Sequence, residues 1–271
     1  MRQRKLSRYA KAQGRKYANV DFARGPATYR LASGYDLLYK LGEFRRGGRY
    51  HIADLAANKG LVGIEVSRRA RRNNASAKVN FVDASEKALA KIPKGKMRDT
   101  RVSDLRKIDA RAGEFTHTFC RYAVKNLPQT EQIKALREIA RVTQKGGTFV
   151  LQDMVSFEGL QGFANAERRA KNLTTGDRVT KNHIPTEAEW ASLLNKAGFE
   201  VTAVVREVSK VNTNDWIKSG QMTQKQLDSY FNFLLTAKKT NPAIWKNYKV
   251  RMEGKGFYLE YPISLFKCRK S

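Results

Sequence analysis

Short apolar runs alternate with amphipathic stretches along the chain, and the alternation predicts most of its elements. Leu31, Tyr35, Leu38 and Leu41 recur with helical spacing. Tyr50 to Leu55 is a compact apolar run carrying Asp54 near its end, the pattern of a buried first strand. Leu61 to Arg72 follows as a helix whose outer face carries Arg68, Arg69, Arg71 and Arg72. Val79 to Val82 reads as a second strand ending at Asp83, and Ser85 to Ile92 as a helix. A weak third strand lies near Arg101, and Phe115 to Tyr122 is the fourth. Gln129 to Thr143 predicts a helix with Ile133, Leu136 and Ala140 on one face; Gly146 and Gly147 stop it, and Thr148 to Met154 is the fifth strand.

Val155 to Asn182 is polar and lacks a clear period, the right place for a lid. Thr186 and Glu189 form a capping box after Pro185, opening a helix through Trp190, Leu193 and Leu194 that ends at Gly198. Phe199 to Val208 is a strand, Gln224 to Ala237 an amphipathic helix, and Phe257 to Lys267 a last strand rich in aromatics. Strands spaced by helices of this length imply an α/β fold with a parallel sheet covered on both faces. The expected partition is a basic extension with a leading helix over 1–45, then one domain over 46–271. That domain includes a lid over 155–184 and a C-terminal helix and strand within 220–268.

Composition agrees with a globular core, since 41% of the 271 residues are hydrophobic. No run approaches the length of a membrane span. Cys120 and Cys268 cannot build a disulfide framework or a four-ligand zinc site, and His51, His117 and His183 show no metal-ligand spacing, so no metal is expected. A reducing, cytoplasmic setting fits these cysteines. Charge changes the picture more. Lys and Arg number 53 against 25 acids, a net +28, a field that draws RNA or another polyanion unless it only keeps the protein soluble. Residues 1–30 hold nine Lys and Arg with tyrosines interleaved and a single acid, Asp21. That segment reads as a nucleic-acid arm, a frayed extension, or part of an organelle-targeting sequence.

Candidate chemistry gathers at the carboxyl ends of the first strands, where such sheets bind ligands. Asp54-Leu55-Ala56-Ala57-Asn58-Lys59-Gly60 is a tight strand-to-helix turn closing on a glycine. Asp83 ends the second strand, where a carboxylate can accept both hydroxyls of a ribose, and Asp104 follows the third, where a side chain can meet an adenine edge.

Together these motifs resemble the class I S-adenosylmethionine-dependent methyltransferases, closest to the group of ubiquinone and menaquinone C-methyltransferases. The turn at 54–60 matches the glycine-rich first motif. VNFVDAS at 79–85 matches the second-strand motif, and Ser103-Asp104-Leu105 stands at the adenine-contacting one. CRYAVKNL at 120–127 resembles the exit of the fourth strand, ALREIARVTQKGG at 135–147 is the most family-like stretch, and IPTEAEWASLLNKAGFEV at 184–201 resembles the helix and strand that come after the lid. The resemblance covers roughly 48–210. It implies a Rossmann-like, seven-stranded, mostly parallel sheet with helices on both faces and an antiparallel last strand, and S-adenosylmethionine as cofactor. It further implies cofactor contacts from Asp54, Ala56, Asn58, Gly60, Asp83, Ala84, Ser103, Asp104, Cys120 and Arg121. The family has glycines where this chain has Ala56 and Asn58, and commonly an aspartate where it has Thr116. Asn is the mildest replacement for a left-handed glycine; Ala56 adds a methyl group where cofactor and backbone approach.

Methyl transfer needs positioning more than a dedicated catalytic side chain. Arg121 and Tyr122, with Lys125 and Asn126, are acceptor contacts or solvent-facing caps of the fourth strand. His183 is a general base from the lid or a loop histidine beside the capping box. Cys120 reads as a small buried residue, and His51 and His117 as core histidines. No Asn-Pro-Pro-Tyr-type tetrad follows Cys120, which argues against exocyclic base amines. A small-molecule acceptor is the default expectation. The alternatives are an RNA acceptor, or a weakened scaffold docking on RNA or a ribonucleoprotein.

Overall fold

The computed structural model describes residues 32–174, 183–219 and 222–271. The basic segment before residue 32 lies outside the described residues, as do 175–182 of the expected lid.

One sheet organises the chain: β1 (Arg49–Leu55), β2 (Ser76–Asp83), β3 (Arg98–Val102), β4 (Phe115–Arg121), β5 (Thr143–Met154), β6 (Phe199–Asn212), β7 (Arg251–Glu253) and β8 (Gly256–Lys270). Their order is β3-β2-β1-β4-β5-β8-β6, with β7 paired to β8. β1 to β5 run parallel, whereas β8 runs antiparallel between β5 and β6. The eighth strand, not anticipated from sequence, is the short β7, folded back on the start of β8.

Alternation across the pleat splits the core into two faces. Ile52, Val79, Phe81, Phe119 and Val150 pack on one side beneath α1 (Ala32–Gly42) and α2 (Leu61–Arg72). Ala53, Leu55, Phe149 and Leu151 pack on the other beneath α4 (Gln129–Val142) and α6 (Glu187–Lys196), which follow the short α3 (Glu86–Leu89) and α5 (Gln161–Thr174). Trp190 is fully buried there, its indole N–H donating to Met154 O at 3.0 Å. The capping box expected at Thr186 and Glu189 forms on both sides, at 3.2 and 2.7 Å. A second one, Thr223 with Gln226, opens α8 (Gln224–Thr240).

Three boundaries differ from the sequence reading. The helix before β5 ends at Val142, because Thr143 turns extended and pairs with Phe115; the glycines lie in a bulge where the β4–β5 register jumps from Phe115 to His117. The helix after β2 is only α3, with Ser85 as its N-cap. β6 continues four residues past Val208, because β8 supplies partners through Tyr258↔Asn212.

That overrun matters. β5 ends at Met154 opposite Ile263, so the pairs from Pro262 to Tyr258 extend beyond the carboxyl edge of the parallel strands. A third apolar cluster assembles on them, with Trp216, Leu227, Tyr230, Leu234, Phe257 and Tyr261, and α5 contributes Phe163. It also takes in residues of α7 (Asn214–Lys218) and α9 (Pro242–Asn247). The expected polar lid is therefore partly helix.

Candidate functional site

The order β3-β2-β1-β4 reverses chain direction beside β1, and the turn leaving β1 opens into that crevice. Ala56, Asn58 and Gly60 all take left-handed backbone, with φ of 54, 50 and 74°. All three glycine positions of the motif thus keep glycine geometry although two carry side chains. An L-residue there costs about 1–2 kcal/mol, somewhat less for Asn. Gly60 is different: an added Cβ would meet Phe81 Cε1 at 2.9 Å and Ile92 Cδ1 at 3.0 Å.

Two carboxyl groups hold the turn. Gly63 N–H, otherwise an orphan donor in the first turn of α2, donates to Asp54 Oδ2 at 2.8 Å. Gly63 also lies flat on the sheet, where a Cβ would meet Phe81 at 2.7 Å and Val79 at 2.8 Å. Burial, the main cause, pushes the Asp54 carboxyl up to about 8, with the nearby Asp83 charge adding and Arg121 opposing. Asp83 Oδ2 accepts from Asn58 N–H and Oδ1 from Ser85 N–H, both at 2.8 Å, and Ala84 N–H also donates to it. Burial raises its carboxyl too, against those donors. Asp83 thus ties the end of β2 to the turn after β1.

At the exit of β4, the Arg121 guanidinium lies over the rings of Tyr35 and Tyr122, 5.0 and 4.9 Å from their centroids. Its Nε donates to Gln152 Oε1 at 2.7 Å, and Gln152 Nε2 donates to Glu207 at 3.3 Å. Tyr122 is left-handed, φ 53°, and its carbonyl accepts from Lys125 Nζ and Asn126 Nδ2. Lys125 Nζ lies 3.1 Å from Asp153 Oδ1, a pair with almost no solvent exposure. Tyr35, Gln152, Asp153 and Glu207 escaped the sequence reading. An acid ending an apolar fifth strand was the available signal for Asp153.

The other expected residues are placed differently. Asp104 is engaged by Arg106, whose Nε and Nη2 donate at 2.9 and 2.7 Å, and Arg106 also reaches Glu131. Ser103 Oγ donates to Lys107 O and accepts from Asp109 N–H, shaping that loop. The Cys120 thiol is buried in the apolar core, and its pKa is pushed well up by burial. His183 has Nδ1 3.2 Å from Asn165 Nδ2 and Nε2 3.2 Å from Glu189, so both ring nitrogens are engaged at the capping box. His51 lies between Glu114 O and Asn80, and His117 Nε2 is 2.8 Å from Gly42 O. Thr116 bridges to β1 through both the N–H and the carbonyl of His51.

Beyond the carboxyl edge of the parallel strands the third cluster holds a buried acid. Glu167 Oε1 accepts from the hydroxyls of Tyr230 and Tyr261 at 2.5 and 2.8 Å. Arg168, next on the same helix, hydrogen-bonds Asn126 and so links α5 to the β4 exit.

Comparison with known proteins gives the same architecture. A candidate methyltransferase from Bacillus halodurans superposes with a TM-score of 0.73 at 18% identity, covering 88% of this chain and 99% of its own. The YcgJ protein of Bacillus subtilis gives 0.70 at 16%, over 89% and 99%. The fold is that of the class I methyltransferases. A Haemonchus contortus phosphoethanolamine N-methyltransferase, solved with S-adenosylhomocysteine, matches at 0.53 and 14%, over 97% of this chain and 58% of its own. Residues 54–151 match the family model of a methyltransferase domain, a span from the first acid of the turn to the middle of β5. No curated protein sequence matches the chain.

Proposed function

We propose that this protein is an S-adenosylmethionine-dependent methyltransferase acting on a small acceptor enclosed beneath the 155–174 part of the expected lid. The observation that carries the reading is the left-handed turn at Ala56, Asn58 and Gly60, joined by Asn58 N–H to Asp83 at the end of β2. This curls backbone N–H groups and one carboxylate around a single crevice, the arrangement a nucleoside needs. The match over 54–151 and the S-adenosylhomocysteine bound by the Haemonchus protein support the same cofactor.

When bound, S-adenosylmethionine supplies an electrophilic methyl carbon on a sulfonium. Asp83 is placed to receive ribose hydroxyls, and its hydrogen bond to Asn58 holds the turn in shape beforehand. Half-exposed Leu61, at the start of α2, offers apolar contact beside the turn. Arg121, clamped by two tyrosine rings and Gln152, sets positive charge at the β4 exit, suited to orienting an anionic or electron-rich acceptor. The apolar cluster built on β6, β8 and α8 offers an apolar enclosure beyond the carboxyl edge of the parallel strands. That enclosure, with the resemblance to quinone C-methyltransferases, favours a small molecule over RNA as acceptor.

Isothermal titration with S-adenosylhomocysteine tests the cofactor. The wild type binds, and Asp83→Ala weakens binding by about 1.5–3 kcal/mol, the worth of a hydrogen bond to a charged group. Absence of wild-type binding refutes the reading. Labelled-methyl transfer into a small-molecule extract, compared with total RNA, tests the acceptor.

A further inference from the structure

The edge of the sheet opposite the crevice carries a second feature. Arg45 and Arg46 precede β1, Arg49 begins it, Arg72 ends α2, Lys145 lies in the β5 bulge and Arg269 stands near the end of β8; all six are exposed. Two hydrogen bonds help to gather them. Gly47 N–H donates to Asn74 O, seating the Arg45–Arg46 turn against the end of α2, and Arg269 Nη1 donates to Gly146 O at 2.6 Å, beside Lys145. Three acids border the row, and Glu114, just before β4, is already paired with Arg101. Glu43 is bound by Lys267, which with Arg269 and Arg45 holds its carboxyl below the usual range, and Glu200 faces Arg269 across the β6–β8 pair. None of the ion pairs among the described residues involves the six cations.

We infer that this amino-terminal edge is a docking surface for the phosphate backbone of RNA, separate from the methyl-transfer crevice. Five of the six cations are arginines, whose planar fork suits phosphate oxygens. An anionic membrane would call for apolar anchors among the cations. Of the large hydrophobic side chains exposed among the described residues, only Met97, before the edge strand β3, borders the row. The contacts are to phosphates alone, so binding is indifferent to base sequence and falls steeply with salt.

The test uses the full chain and a fluorescein-labelled oligouridylate, read by anisotropy across a salt series. The triple variant Arg45→Gln, Arg46→Gln, Arg72→Gln lowers the slope of log K against log salt by about 2, at ~0.7 for each single-strand phosphate no longer neutralised. A control of equal charge change on the opposite side of the molecule, Lys225→Gln, Lys239→Gln, Lys246→Gln, moves the slope by less than half as much, and circular dichroism shows both variants folded. Equal loss in both variants assigns the binding to net charge and overturns the surface, as does a wild type that does not bind. Tighter capture of the wild type by phosphatidylserine vesicles than by oligouridylate, abolished in the first triple, overturns RNA as the partner.

Discussion

Gly60 and Ala56 occupy equivalent left-handed positions in one turn, yet exchanging glycine and alanine at each is expected to move stability in opposite directions. Gly60→Ala forces an L-residue to φ 74°, costing about 1–2 kcal/mol. It also drives a methyl group to 2.9 Å from Phe81 and 3.0 Å from Ile92. Phe81 has no exposed surface and cannot swing aside, so overpacking adds about 1–3 kcal/mol. Loss of chain freedom in the unfolded state returns about 0.4–1 kcal/mol. The net is a loss of about 1–4.5 kcal/mol, or roughly 2–18 °C in Tm for a chain of this size. Ala56→Gly releases the same backbone cost and surrenders about 0.5–1 kcal/mol of chain entropy, so it is neutral or stabilising by up to about 1 kcal/mol. Urea unfolding followed by far-ultraviolet circular dichroism measures both. A Gly60→Ala variant within about 0.5 kcal/mol of wild type refutes the packing argument, and a destabilised Ala56→Gly refutes the backbone one.

Asp54 gives a pH signature. Its carboxyl is raised from the ordinary 3.8 to about 8, so between those values the folded state binds the extra proton. Its contribution to stability is present in acid and is lost as pH rises through that window, and Asp54→Asn flattens the profile; unchanged pH dependence in the variant counts against it. Lys125→Met strands Asp153 inside the protein and costs about 3–5 kcal/mol, whereas Lys125→Met with Asp153→Leu recovers most of that, measured by the same unfolding assay. Arg121→Lys keeps the charge but loses the planar stack on Tyr35 and Tyr122, so kcat/KM drops while cofactor affinity by titration changes little; a parallel loss of cofactor affinity argues against an acceptor-side role.

Elements with a strong period were legible because burial enforces them: the β1 run, the faces of α2 and α4, and the capping box at Thr186 all stand where the pattern puts them. The overrun of β6 was not legible, since Ser209, Lys210 and Asn212 are polar and hold a strand position only because β8 pairs with them. The end of the helix near Thr143 depended on a long-range pairing, with Phe115, in the same way. At the site, strand-terminal acids were readable from position alone. Tyr35 was not, since its apolar spacing in a helix says nothing of the arginine its ring meets. Asp104 shows the reverse limit: its position fits the motif, but Arg106 two residues on claims its carboxylate.

The altered glycine motif is best understood as a property of backbone rather than of side chains. A nucleoside-binding turn needs left-handed residues in alternation, and glycine only makes them inexpensive. Ala56 and Asn58 add roughly 1–2 kcal/mol of strain or less at each position. Hydrogen bonds from Asn58 N–H to Asp83 and from Gly63 N–H to Asp54, worth about 0.5–3 kcal/mol each, offset it. The two strand-end acids therefore carry a structural duty that precedes any ligand. Deleting either should loosen the turn as well as remove a contact, so an Asp83→Asn variant, which keeps an oxygen for Asn58 N–H but turns its amide toward Ser85 N–H, is expected to retain the turn after β1 while losing the bond to Ser85 and the charge on the ribose side. The gap in affinity between Asp83→Asn and Asp83→Ala then measures how much of cofactor binding belongs to the shape of the turn.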